Sequence, residues 1–171
     1  MDYLGSIRNP LHDGLFLLLC DSQARYGGWD VHGTALACEG STSLALDGLR
    51  AYVEEAHGDG RYEVRRGSDR TLWIALPVEP GVRPIAADAL EHEPRVGTAP
   101  VGLIDLPSRK LVLALAYPPL NMATDGDYAG ITHEEGERLD VTFDAAVVAI
   151  TREHTATGQV LALRPAPELN A

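Results

Sequence analysis

The chain has 171 residues, 45% of them hydrophobic and 23% charged, a composition that excludes disorder and supports a single domain spanning residues 1–171. Its 25 acidic and 14 basic side chains give a formal charge of −11, a field that repels phosphate backbones and argues against direct nucleic-acid binding. The same field either draws in a basic partner or serves solubility alone.

The opening MDYLGSIRNPLHDG has no basic start followed by an apolar run, so no secretory signal is expected and the expected location is the cytoplasm. Leu15 to Cys20 is a continuous apolar run bounded by Gly14 and Asp21. Its length suits a strand buried on both faces and is too short to cross a membrane. The loop DSQARYGGWDVHG follows, with Trp29 expected to cover one end of the core. Thr34 to Cys38 and Ser41 to Leu46 read as strands divided by the turn Glu39-Gly40.

Leu49 to His57 fits two periods: Leu49, Ala51 and Val53 alternate as in a strand, while Leu49, Tyr52, Val53 and Ala56 share a helix face. The strand is preferred. After Gly58-Asp59-Gly60, a hairpin is expected from Tyr62–Arg65 and Thr71–Leu76 around Gly67-Ser68-Asp69. Prolines at 77, 80, 84, 94 and 100 make residues 77–100 a crossing loop, with one helical turn at Ile85, Ala86, Ala89 and Leu90.

Val101 to Tyr117 is predicted to be the core hairpin, two apolar strands hinged on Pro107-Ser108-Arg109-Lys110. A polar, Gly-rich loop then leads to Leu139–Phe143, which alternates cleanly, and to a Val/Ala/Ile run at Ala145–Thr151. A last strand at Val160–Leu163 precedes a tail, residues 164–171. Short strands at regular spacing predict an all-β fold, an antiparallel β-sandwich of two sheets with at most one short helix.

No motif of high chemical specificity is present. Histidines 12, 32, 57, 92, 133 and 154 each lie within two residues of a carboxylate, yet none has the spacing of HExxH or a zinc finger, so no metal is assigned. Cys20 would be a nucleophile only beside His12 or His32, and both it and Cys38 are expected to be buried thiols. There is no GxSxG elbow and no phosphate-cradling glycine loop, so no catalytic residue and no cofactor is assigned. Asp125-Gly126-Asp127 begins like a calcium loop, but its later ligands are out of register. Between residues 125 and 144 seven carboxylates accompany one arginine, Arg138, which predicts either a solvated edge or a face for a basic partner.

The order of features, LFLLLCD, the Trp29 loop, GTALACEGSTSLAL, LRAYVEEAHGDG and a later Gly126-Asp127-Tyr128, resembles the competence-type nuclease inhibitors and related bacterial β-sandwich immunity proteins. That resemblance implies an acidic, non-catalytic protein that neutralises a basic nuclease or toxin by offering carboxylates to its phosphate-binding Lys and Arg. The surface expected to do so comprises Asp21, Trp29, Asp30, Glu134, Glu135, Glu137 and Asp140. A second reading is a small enzyme or ligand carrier with an apolar pocket lined by Trp73, Tyr52 and a His–carboxylate pair. A third is an accessory domain whose apolar edge strands assemble with copies of itself or with a larger complex.

Overall fold

A computed structural model describes residues 1–8, 16–24, 43–46, 48–56, 60–77, 85–116 and 138–167. Among these residues the chain forms eleven strands and one short helix: β1 Asp2–Arg8, β2 Phe16–Asp21, β3 Ser43–Leu46, β4 Leu49–Glu55, β5 Arg61–Arg66, β6 Leu72–Leu76, α1 Ala87–His92, β7 Gly97–Asp105, β8 Lys110–Ala116, β9 Arg138–Thr142, β10 Val147–His154 and β11 Gln159–Pro165. All pairings are antiparallel. They build a six-stranded sheet in the order β1-β5-β6-β11-β10-β7 and a five-stranded sheet in the order β3-β4-β2-β8-β9. The two-sheet sandwich expected from the alternation is the observed architecture. No described helix is long and apolar enough to cross a membrane.

β2 lies at the centre of its sheet, and all six of its residues are buried. Leu17 and Leu19 face the inter-sheet core with Leu113, Leu115, Ile74, Leu161 and Ile150. Phe16, Leu18 and Cys20 join a second buried cluster with Ala51, Val53, Val112 and Ala114. The continuous run in sequence thus reports two packed faces rather than one. On the far side of the six-stranded sheet, Trp73, Val160 and Ala162 are covered by Ile85 and by Leu90 of α1.

The 101–117 stretch departs from expectation. β7 and β8 do not pair with each other: β7 is an edge strand on β10 of the six-stranded sheet, whereas β8 lies between β2 and β9 of the other. Residues 106–109 therefore turn a corner of the sandwich rather than close a hairpin. Apolar composition reveals that two segments are strands but carries no information about which partner each one takes. Pro100 sits within β7 opposite Thr151, next to an irregularity in register and on an edge, where a missing donor costs little. β1 has no counterpart in the sequence reading, and its edge is bulged at Gly5, whose φ is +147°. A Cβ at Gly5 would meet Leu139 Cδ1 at 2.9 Å, so the absent side chain lets β1 approach β9 and the two sheets meet at that edge. The expected strand at Thr34–Cys38 and the Trp29 loop lie outside the described residues.

The 106–109 corner is fastened by a carboxylate. Asp21, at the end of β2, is fully buried; its Oδ2 accepts from Ser108 N at 2.9 Å and Ser108 Oγ at 2.7 Å, and its Oδ1 accepts from Gln23 N at 2.7 Å. Ser108 Oγ in turn accepts from Lys110 N at 3.1 Å. Asp21→Ala leaves these donors without an acceptor and should lower unfolding stability by about 2–4 kcal/mol, with Ser108→Ala costing about 1 kcal/mol. Urea denaturation midpoints of the two variants measure this, and an unshifted D21A midpoint would refute the clamp.

Candidate functional site

The antiparallel registers give the sandwich two distinct ends. At one, Glu55 and Ala116 flank Phe16 in the five-stranded sheet, and His154, Gln159, Leu76 and Arg61 end strands of the other. At the opposite end lie Asp21, Leu49 and Lys110 in one sheet and Arg66, Asp105, Val147 and Pro165 in the other. An ion pair bridges the sheets at each end, Glu54 to Arg152 at the first and Arg50 to Asp105 at the second.

At the Glu54 end, Arg152 continues the inward row Val148-Ile150, and Glu54 continues the row of Tyr52. Arg152 Nη2 donates to Glu54 Oε2 and, at 2.8 Å, to Tyr52 OH. The tyrosine hydroxyl donates to Glu54 at 2.7 Å, and Arg152 Nη1 donates to Gln159 Oε1 at 3.1 Å. Burial, followed by the negative charge of Glu54, holds the Tyr52 hydroxyl far above the ordinary tyrosine range. Burial alone would lower the Arg152 value, but Glu54 and Tyr52 outweigh it and the net shift is upward. These groups close one end of the core; each is occupied by another. The signal for them in sequence is a charged residue falling on an otherwise apolar period-two row.

The charge is distributed unevenly. Twelve of the 25 acidic residues but only two of the 14 basic ones fall outside the described residues. Residues 9–15, 57–59 and 117–137 contain seven carboxylates and no Lys or Arg. The strand ends flanking these three segments, Arg8 and Phe16, Glu55 and Arg61, and Ala116 and Arg138, all lie at or near the Glu54 end. Four of the five basic residues Arg50, Arg66, Arg70, Arg109 and Lys110 line depressions at the opposite end, and Lys110 begins β8 there.

Of the residues expected to form a partner surface, Asp21 must be reassigned: it is fully buried and its oxygens are spent on the 106–109 corner. A carboxylate closing an apolar run reads as a surface residue in sequence, because only tertiary packing brings Ser108 to it. Asp140 is exposed on the edge strand β9, where Arg138 Nε donates to it at 2.8 Å. Trp29, Asp30, Glu134, Glu135 and Glu137 lie outside the described residues, as do Asp125-Gly126-Asp127, Cys38 and histidines 12, 32, 57 and 133. Cys20 is buried in the apolar cluster on the second face of β2.

The pocket expected from Trp73 and Tyr52 does not form, because the six-stranded sheet separates them: Tyr52, on β4 of the other sheet, lies on its inner side and Trp73, on β6, on its outer side. Tyr52 is in the inter-sheet core, and Trp73 is under α1. Trp73 instead carries two guanidinium groups, Arg95 and Arg164, each 5.1 Å from its ring centroid. Both also bind Glu153, which is buried: Arg95 Nε at 2.6 Å and Arg164 Nη1 at 3.0 Å. Arg95 further donates to the carbonyls of Leu90 and Glu93, tying α1 to the sheet. His92 and Glu91 line the open depression beside this cluster. Among the described residues no group of three or more His, Cys, Asp or Glu is placed to hold a metal ion.

Two outcomes follow from the cross-sheet network. Arg152→Met should destabilise the fold by about 2–4 kcal/mol, because Glu54 loses its counter-charge in a mostly buried site. Since folding raises the Tyr52 value, its contribution is complete below the ordinary tyrosine value of 10.0 and is lost as pH rises beyond it. Denaturation followed between pH 8 and about 11 should therefore show an alkaline decline that is shallower in Tyr52→Phe. Comparison with protein-family models, with curated proteins and with solved structures returns no match.

Proposed function

We propose that this chain is a non-catalytic acidic binding protein that neutralises a basic protein partner, of the kind represented by bacterial nucleases and toxins. One observation carries the reading. Three segments holding seven carboxylates and no Lys or Arg are flanked by strand ends at one end of the sandwich, while the described residues hold 12 of the 14 basic side chains. Segments this rich in carboxylates and free of Lys and Arg supply a field suited to a cleft built for a phosphate backbone. The partner's Lys and Arg would take the place of counter-ions, so affinity and association rate would both fall with salt.

Within this reading Glu134, Glu135 and Glu137 are the leading contacts, with Asp140 at the foot of the same segment on β9 and Trp29 and Asp30 as an aromatic anchor and its neighbour. Asp21 is not among them. The partner is a protein, with no nucleic acid, membrane or cofactor in the interaction, and the site of action is the bacterial cytoplasm.

The test is affinity capture from the native host with the intact protein and with the triple variant E134K/E135K/E137K, followed by assay of the captured partner. A stoichiometric basic protein that is held at low salt, released at moderate salt and inhibited in its nuclease or toxic activity is the expected result. Charge reversal at three sites should weaken it by about 100-fold or more. Equal capture by the triple variant would overturn the assignment.

A further inference from the structure

The Arg50 end carries a feature that the acid-end reading leaves unused. A groove of about 720 Å³ is lined by Leu103, Ala145, Ala146, Val147, Pro165, Ala166 and Pro167, with Arg50, Arg109 and Asp144 at its rim. Its size falls in the range of small-molecule clefts. Leu103 is one of the few large apolar side chains exposed among the described residues, at 38%. The wall is preformed: two prolines restrict its backbone, and Ala166 N donates to Val147 O at 2.9 Å.

The charges at the rim do not cancel. Arg50 is committed to Asp105, with Nη2 donating to Oδ1 at 2.6 Å and its backbone N donating to Oδ2 at 2.8 Å. That hydrogen-bonded guanidinium holds the Asp105 carboxyl below its usual value. Asp144 faces Arg70 at 3.2 Å, with both side chains largely exposed. Arg109, held at φ +60° in the 106–109 corner, makes no side-chain hydrogen bond or ion pair among the described residues. Among the described residues the groove thus has apolar walls and one uncompensated positive charge at its mouth, in a chain whose overall charge is −11.

We propose that this groove binds a small monocarboxylate with an apolar body, its carboxylate on the Arg109 guanidinium and its hydrocarbon against Leu103, Val147 and Pro165. A guanidinium accepts a carboxylate in a bidentate, charge-assisted pair, and the apolar walls favour a body that buries their exposed area. One unpaired cation matches one negative charge. The site is at the opposite end of the sandwich from the strand ends that flank the acidic segments, and it shares no residue with the protein-partner reading, so it stands or falls separately.

Calorimetric titration of the intact protein with decanoate, decanol and acetate tests the assignment. Decanoate should bind saturably at one per chain, and decanol and acetate at least about tenfold more weakly, since each lacks one half of the recognised chemistry. Arg109→Gln, an exposed corner residue, should weaken decanoate about tenfold with an unchanged urea midpoint. Ala146→Trp, which fills the groove, should abolish binding, and E134K/E135K/E137K should leave it intact. Absence of saturable decanoate binding, equal binding of decanol or acetate, or an R109Q affinity matching the wild type would each overturn the proposal.

Discussion

Strand β2 has no solvent face, and the rest of the sandwich is arranged around that constraint. Leu17 and Leu19 need one apolar layer and Phe16, Leu18 and Cys20 another, so the five-stranded sheet must be covered on both sides. Burying a leucine contributes about 1.5–3 kcal/mol, and each side of β2 depends on neighbours supplied by β4 and β8. A polar substitution at any of these positions would strand a polar group between packed layers. The central place of β2 follows: an edge strand would leave one side of its backbone unpaired.

Hydrophobic burial is non-directional and does not by itself align two sheets. The polar contacts at the ends do that work. Glu54–Arg152 and Arg50–Asp105 each join one sheet to the other, and Asp21 joins the end of β2 to the corner between β7 and β8. Glu54–Arg152 and Asp21 are largely buried and tolerate little displacement, because a charge pulled off its partner there is poorly solvated, whereas Arg50–Asp105 is more exposed and is aligned by its bidentate hydrogen bonds. The Arg95–Glu153–Arg164 cluster over Trp73 plays the same part on the outer face, where it holds α1 against the six-stranded sheet. These groups are consumed by architecture.

Segments with seven carboxylates and no Lys or Arg are flanked by strand ends at the Glu54 end, where Arg8, Arg61, Arg138 and Arg152 also lie, while Arg50, Arg66, Arg70, Arg109 and Lys110 lie at the other. Such a distribution orients an approaching charged partner before contact.

Much of the fold was legible in the chain, because it rests on local periodicity. The apolar run at Leu15–Cys20, the alternation within Leu49–His57 and Leu139–Phe143, and the Gly67-Ser68-Asp69 turn correspond to β2, β4, β9 and the β5–β6 hairpin. The net charge and its concentration at 125–144 are likewise properties of the sequence alone. Pairing was not legible. Val101–Tyr117 reads as a hairpin because adjacent strands often pair, yet its halves serve different sheets, and nothing in an apolar strand names its neighbour. For the same reason Asp21 reads as a surface acid until Ser108, 87 residues away, is brought to it, and Tyr52 and Trp73 read as pocket mates until a sheet separates them. Composition and period determine which segments become strands and which face of each is apolar. Only the tertiary structure decides which residues distant in sequence meet, because that choice depends on the simultaneous packing of all the strands.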